Sequence, residues 1–232
     1  IPISETQVLV GGLMGAGIAS VGLGAVQVGS TLQKVLVPMA TAPVIAFFFG
    51  GFLVLAILHA ARRSTSYKVN RVFGKAQIGS SFFFSVSHGA NDAMKSAGIM
   101  AALIFTHAGA TGTLDTPLWL RVLAVGTLAL GTLFGGWRIV RTMGFRVTAL
   151  RPYQGFAAET GAAIVVLGSS QLGFPLSTTQ TVSGSIIGVG AARGFSAVRW
   201  RVVRQIVIAW ALTIPASAAF AFVAYTILRL VP

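Results

Sequence analysis

Long apolar segments separated by short polar stretches run through the whole chain. Residues 35–61 carry no formal charge over 27 positions, and residues 122–137 and 205–228 form two further apolar runs. About 20 consecutive apolar residues are enough for a helix to cross the hydrocarbon core of a bilayer. The pattern therefore predicts an all-α integral membrane protein.

Residues 76–106 form an apolar segment that is too long for one straight span. As a single helix its 31 residues would measure about 46 Å, well beyond the thickness of the hydrocarbon core. The polar stretch 85–92 lies in its middle and includes His88, Asn91 and Asp92. We expect the helix to be broken there.

Residues 155–192 form two apolar arms around a tight turn at Gly173 and Pro175. Arginines precede the first arm and follow the second. Two interpretations fit: two full spans, or a re-entrant hairpin whose tip lies inside the membrane. The arms have only 17 and 18 residues, and polar residues follow the turn at once. Polar, irregular backbone is tolerated at depth where it lines a cavity, which favours the hairpin.

Composition and charge agree with a membrane protein. Hydrophobic residues make up 55% of the chain, charged residues 9%, and mean hydropathy is +0.83. The net charge of +13 comes mainly from three stretches, 62–75, 138–151 and 193–204, which hold 13 of the 17 lysines and arginines. Short basic loops between apolar spans mark the cytoplasmic side. We therefore expect no nucleic-acid partner, and we assign residues 62–75 to a basic cytoplasmic loop.

The stretch 174–181 has a fainter copy in residues 1–7, and each begins with a proline followed by hydroxyl and amide residues. Four small residues repeat downstream at a constant offset of 173: Gly11, Gly15, Gly17 and Ala19 correspond to Gly184, Gly188, Gly190 and Ala192. Proline followed by Ser or Thr is typical of a helix N-terminus. Free N–H groups and the positive end of the helix dipole favour an anion there.

The two copies differ in the charge that follows them. Residues 21–34 contain only Lys34, whereas residues 193–204 contain four arginines. Since positive residues favour the cytoplasmic side, the copies are predicted to face opposite sides, as in an inverted repeat. On this interpretation residues 1–61 are the C-terminal part of a first repeat, and residues 76–232 form the second.

Three of the four acids are candidates for cation binding or coupling. Asp92 and Glu159 lie inside apolar segments, where a charge is costly and usually functional. Asn91 and Asp92 would supply hard oxygen ligands for Na⁺; the alternative is that Asp92 caps a helix or pairs with Lys95. Glu159 could instead be neutralised by Arg151. Glu5 takes the place that a threonine has in the second copy.

Hydroxyl and amide side chains at the two helix starts are candidate donors to a bound anion. In the second copy these are Ser177, Thr178, Thr179 and Gln180, and in the first they are Ser4, Thr6 and Gln7. Helix capping would explain any one of them alone; their duplication favours an anion site. His88 is a weaker candidate ligand.

Taken together, these residues resemble the inorganic phosphate transporter (PiT) family. The resemblance rests on residues 88–95, Glu159, and residues 175–180 with the glycines after them. It covers the second repeat from about residue 72 and the tail of the first. It implies an inverted-repeat symporter that moves inorganic phosphate with Na⁺ or H⁺, with phosphate held by the two Ser/Thr-bearing hairpins and cations by the Asn-Asp segment.

Two departures from the family pattern stand out. The first-repeat Gly-Asn-Asp segment is absent from these residues, so we expect further sequence upstream. The first copy also reads Ser-Glu-Thr where the second has Ser-Thr-Thr. The alternatives are a transporter of another oxyanion such as sulfate, and a membrane phosphoester enzyme using His88 and Asp92.

We therefore expect a multi-pass protein of the cell membrane that is not an enzyme. Its partners would be phosphate, the coupling cation and the lipid bilayer, with a homodimer left open. No cofactor is expected beyond the co-transported ion.

Overall fold

The computed structural model describes residues 2–109 and 113–230, and within those ranges it contains helices and no strand. The first half comprises α1 Glu5–Val21, α2 Val28–Thr31, α3 Val37–Ala60, α4 Ser66–His88 and α5 Met94–His107. The second half comprises α6 Leu118–Gly135, α7 Trp137–Arg141, α8 Pro152–Gln171, α9 Thr178–Ala191 and α10 Trp200–Leu230. The predicted all-α class is confirmed.

The outer surface of the helices is apolar, while small residues lie inside. Phe48, Phe52 and Phe220 are each more than 60% exposed, whereas Ala46 and Ala157 are fully buried. Within the described ranges, three helical segments are long and apolar enough to cross a membrane. They are Val28–Ala60, in which the π-helical turn Leu32–Leu36 joins α2 to α3, Leu118–Gly135 and Trp200–Leu230. Large exposed apolar surface is unfavourable in water and is stable against lipid. The protein is therefore a multi-pass membrane protein.

Helices α8 and α9 form an antiparallel pair at the centre of the fold. The turn between them includes Gly173, whose φ of +74° lies in the left-handed region that glycine tolerates. Helix α8 packs on α3, α4 and α9, and most of α9 is buried. The predicted arms 155–171 and 175–192 thus correspond to α8 and α9, and they are surrounded by the longer helices.

Helix α1 packs closely against α10. A Cβ atom at Gly11 would overlap the carbonyl oxygen of Ile214, and one at Gly15 would overlap that of Ala218. Only glycine allows two helix backbones to approach so closely. These glycines therefore set the distance between α1 and α10.

Helix α9 packs in the same way against α3. A Cβ atom at Gly184 would overlap the carbonyl oxygen of Pro43, and one at Gly188 would overlap that of Phe47. The glycines of each copy thus contact the long helix of the opposite half, so the packing is reciprocal. The opposite membrane orientation of the two halves stays a prediction.

Two details differ from the sequence-based expectation. Helix α4 begins at Ser66, within the predicted loop 62–75, and Thr65 caps it by accepting a hydrogen bond from the N–H of Lys68. The expected break between 85 and 92 takes the form of a π-helical turn, Gly89–Ala93, which joins α4 to α5 without unwinding the backbone. A wider turn places its side chains differently from an α-turn and is often found at functional sites.

We predict that Gly184→Ala destabilises the protein, because the added methyl overlaps the α3 backbone. The expected loss is about 1–3 kcal/mol, as for other overpacked sites. The measurement is thermal unfolding of the complete protein purified in detergent. Gly12→Ala is the matched control, since a Cβ there meets nothing within 4 Å and alanine has the higher helix propensity. An unchanged melting temperature for Gly184→Ala would contradict the close approach.

Candidate functional site

The two helix starts predicted from the repeat have the same local structure. The hydroxyl of Ser4 accepts a hydrogen bond of 3.2 Å from the N–H of Gln7, and the hydroxyl of Ser177 accepts one of 3.2 Å from the N–H of Gln180. Both serines are therefore N-caps of α1 and α9. Each hydroxyl proton is still free to be donated to another group.

The two helix starts lie against each other in the interior. The Thr6 hydroxyl donates to the carbonyl oxygen of Leu176 at 3.0 Å. Ser4 is fully buried, and Ser177 is 2% exposed. The remaining N–H groups of both first turns, and the positive ends of both dipoles, are thus gathered in one place.

The π-helical turn brings Asn91 and Asp92 to this meeting point. The side-chain amide of Asn91 donates to Asp92 Oδ1 at 2.9 Å and to the Leu176 carbonyl oxygen at 3.2 Å. Asp92 is 3% exposed. The Asn-Asp pair predicted from the sequence therefore adjoins both helix starts.

Lys95, one turn after Asp92, points its ammonium group into the same cluster. Lys95 Nζ lies 2.9 Å from Asp92 Oδ1, 2.9 Å from Thr6 Oγ1 and 2.5 Å from the Leu176 carbonyl oxygen. The pairing with Lys95 that the sequence left as an alternative is thus present. No local pattern indicated that the same ammonium group also contacts both helix starts.

The second oxygen of Asp92 faces His88 and Thr178. His88 Nδ1 is 3.0 Å from Asp92 Oδ2 and 3.2 Å from Thr178 Oγ1, and the Thr178 hydroxyl donates to Asp92 Oδ2 in a short hydrogen bond. Both oxygens of the carboxylate are therefore bonded to donors on the protein, which offset the cost of burying it.

A cavity of about 540 Å³ opens onto this cluster. Most of its lining is apolar, and its polar part includes Glu5, His88, Asp92, Thr178 and Thr179. The Glu5 carboxylate accepts a hydrogen bond of 3.0 Å from Ser96 on α5. Five of the predicted or considered site residues thus share one cavity. We call it the polar cavity below, after these five residues.

Gln7 and Gln180 lie on a different side of the helix starts. Both line an apolar cavity of about 730 Å³ between α3, α9 and α10. The amide oxygens of both glutamines are buried and have no hydrogen-bond partner among the described residues. Buried polar atoms without partners are rare in native proteins and point to a missing ligand or water.

Glu159 is separate from the Asp92 cluster. Its carboxylate accepts hydrogen bonds from Ser80 at 2.6 Å and from Ser81 at 3.0 Å. These serines take the place of Arg151, which the alternative interpretation expected to neutralise it. It lines a cavity of about 390 Å³ that shares five lining residues with the polar cavity: Phe84, Ile139, Val140, Met143 and Val182. The two cavities are therefore neighbours, with Glu159 on the far side.

Sequence reasoning missed the hydroxyl partners of the acids and the central position of Lys95. Ser80, Ser81 and Ser96 lie on α4 and α5 with no motif to mark them. Lys95 carried a signal, because it is a single basic residue inside an apolar segment. Within the part of the chain that the structure describes, no group of three or more His, Cys, Asp or Glu side chains could hold a metal ion.

Comparison with known proteins places the chain among phosphate transporters. A model of the phosphate transporter family matches residues 1–68 and 58–221. A probable low-affinity inorganic phosphate transporter of Rhizobium meliloti is 44% identical over 225 residues, which cover 97% of this chain and 67% of that protein. A protein of the same description from Mycobacterium tuberculosis is 38% identical over 216 residues, covering 93% of this chain and 52% of the other.

A solved structure described as the sodium-dependent phosphate transporter has a similar fold. It superposes with a TM-score of 0.82 at 29% identity, covering all of this chain and 75% of the other. The chain spans roughly half to two thirds of the length of the two curated relatives above. These relatives are named as transporters, which agrees with the expectation that the protein is not an enzyme.

We predict that Asp92→Asn destabilises the protein strongly, because it leaves the Lys95 ammonium buried without its carboxylate. The two side chains are 4% and 17% exposed, and removing one partner of a buried pair costs about 3–5 kcal/mol. The double variant Asp92→Asn/Lys95→Met should recover most of that loss. Thermal unfolding of the detergent-purified protein measures both.

The matched control for this prediction is Asp115→Asn. Asp115 pairs with Arg121 at 3.2 Å on the surface, where its side chain is 90% exposed, and such pairs contribute little. Equal melting temperatures for Asp92→Asn and Asp115→Asn would contradict a stabilising role for the buried pair.

Proposed function

The chain belongs to the phosphate transporter family, and from that premise we propose that the protein carries inorganic phosphate across the membrane together with a cation, Na⁺ or H⁺. The observation that carries the proposal is the meeting of two buried helix starts at the Asp92 cluster. Two helix N-termini facing one point form an electropositive site for an anion without needing a free basic side chain.

Phosphate would be held by the first turns of α1 and α9. Their free N–H groups and hydroxyls are the donors that phosphate oxygens accept from. The residues proposed for this role are Ser4, Thr6, Gln7, Ser177, Thr178, Thr179 and Gln180. The amide oxygens of Gln7 and Gln180 are buried without a hydrogen-bond partner among the described residues. Flipping either amide would present its N–H groups, which are the donors that an anion needs.

The hydroxyls of Thr6 and Thr178 already donate to protein oxygens, namely the Leu176 carbonyl and Asp92. Binding phosphate through them would require those hydrogen bonds to be released. Thr179 faces the polar cavity. In our proposal it binds phosphate without releasing a hydrogen bond to the protein, so it would be the first residue that phosphate contacts. Phosphate entry would thus loosen the contact between the helix starts and Asp92.

Cation coupling is assigned to the acids and Asn91. Asn91 and Asp92 lie directly at the helix starts, Glu5 lines the same polar cavity, and Glu159 lines the adjoining one. Na⁺ or a proton at Glu5 or Glu159 would offset the charge of phosphate, whereas at Asp92 a positive charge is already present in the Lys95 ammonium group. The name of the similar solved structure, a sodium-dependent transporter, supports coupling to a cation in this one.

We also propose that α8 and α9 form a re-entrant hairpin. Helix α9 has 14 residues and is about 21 Å long, shorter than the hydrocarbon core. Its first turn is buried inside the protein. Rocking of one half against the other around the helix starts would then expose the site to each side in turn.

The test is uptake of labelled phosphate by the complete protein in liposomes. We expect uptake above that of empty liposomes under a gradient of Na⁺ or of protons, with competition by unlabelled phosphate and much weaker competition by sulfate. No uptake under either gradient would refute the proposal. Stronger competition by sulfate than by phosphate would instead support the other oxyanion.

We predict that Thr179→Val raises the KM for phosphate about tenfold, a loss of roughly 1.4 kcal/mol in binding, which is typical of a hydrogen bond to a charged group. Valine keeps the shape of the side chain and removes only the hydroxyl. Initial uptake rates over a range of phosphate concentrations provide the KM.

Thr127→Val is the matched control for Thr179→Val. Thr127 lines the same polar cavity, but its hydroxyl donates to the carbonyl of Leu123 within its own helix. Its KM should stay at the wild-type value. If both variants had the wild-type KM, phosphate would not be bound through Thr179.

A further inference from the structure

Lys95 is the one charged side chain that touches both helix starts and the π-helical turn among the described residues. Its ammonium group lies between Thr6 on α1, the Leu176 carbonyl that precedes α9, and Asp92. A lysine in this position is costly within a membrane protein unless every donor is used. An ammonium group has three donors and no acceptor, and here three oxygens receive them.

The three oxygens around Lys95 Nζ are of the kind that bind a small hard cation. They are one carboxylate oxygen, one backbone carbonyl oxygen and one hydroxyl oxygen. Proteins bind Na⁺ and similar ions through such oxygen sets, often at interrupted helices. The cation that these oxygens surround here is the ammonium group of the chain itself.

A free Na⁺ would find little room at the same oxygens. Asp92 Oδ1 and the Leu176 carbonyl also accept hydrogen bonds from Asn91, and Asp92 Oδ2 is bonded to His88 and Thr178. A metal ion would have to displace these donors and would be repelled by the ammonium charge. Lys95 and Na⁺ would therefore compete for the same oxygens.

We propose that Lys95 is a built-in cation that occupies a Na⁺-type site at Asp92 and makes phosphate binding at the helix starts independent of Na⁺ at this position. The inference rests on the phosphate transport proposed above and identifies the residue that sets its cation requirement. Because Lys95 is tethered to α5, the positive charge that joins α1, α9 and the π-helical turn is present at every stage of transport. An ion from solution would have to bind anew in each cycle.

The first test compares Lys95→Ala with the wild type in liposomes containing the complete protein. External Na⁺ is replaced by N-methylglucamine at constant pH and membrane potential. Without Na⁺, Lys95→Ala should raise the KM for phosphate about tenfold or more, and Na⁺ should restore most of this loss. The Na⁺-dependent change in KM should be severalfold smaller in the wild type, and Lys95→Arg, which keeps the charge, should follow the wild type.

Lys75→Ala is the matched control. Lys75 lies on α4 and is exposed, so its removal changes the net charge by the same amount without opening a site. Its response to Na⁺ should equal that of the wild type. A Na⁺ response in Lys75→Ala as large as in Lys95→Ala would show a general effect of charge and overturn the proposal.

The second test measures Na⁺ binding without transport. Variants Lys95→Ala and Lys95→Asn are purified in detergent with NaCl, and their melting temperatures are compared in NaCl and in choline chloride at equal ionic strength. We expect Na⁺ to raise the melting temperature of both variants more than that of the wild type, because the ion replaces the lost ammonium group.

The outcomes separate the two proposals. Absence of phosphate uptake by the wild type under any gradient refutes the transport function itself. If the wild type transports phosphate but both Lys95 variants respond to Na⁺ as it does, Lys95 does not occupy a cation site. If neither variant folds even in NaCl, Na⁺ cannot replace the ammonium group, and the proposal is equally wrong.

Discussion

The structure depends most on the buried cluster around Asp92 and Lys95. One carboxylate and one ammonium group are removed from water together, and each is surrounded by groups that complete its hydrogen bonds. The carbonyl of Leu176 accepts from Thr6, Asn91 and Lys95. Since breaking such a pair leaves a charge without a partner, the π-helical turn and the two helix starts are held in one arrangement. Phosphate would have to act on this arrangement to change the conformation.

Glycine makes room for that cluster. Helices α1 and α9 can be covered along one face only because α10 and α3 approach their backbones at Gly11 and Gly184. Larger residues would push these helices apart and admit lipid or water beside the buried charges. The apolar packing and the polar site thus depend on each other, because small residues where two helices touch allow the neighbouring helix to cover the first turn.

Much of this arrangement follows from the sequence, because it rests on local patterns. The 173-residue offset between Ser4 and Ser177 predicted two equivalent helix starts, and both serines cap helices. The start of α4 was not predicted, because the many positive charges in 62–75 suggested a loop. Lys68, Arg71 and Lys75 nevertheless have helical spacing. The sequence analysis also placed Gln180 and Thr178 in one site. Side chains two residues apart on a helix point about 200° apart, and these two face different cavities. Contacts such as that of Lys95 with Leu176 depend on tertiary packing, which local patterns do not encode.

The reciprocal packing has a consequence for biosynthesis. Helix α1 leaves the ribosome long before α10, the helix that its glycines contact, because about 200 residues separate Gly11 from Ile214. During that interval α1 lacks its contact with α10. Helix α1 can dock on α10 only after α10 has been inserted. Assembly of the proposed anion site would therefore be completed late in synthesis, and truncation within α10 would remove the packing partner of a helix about 200 residues upstream.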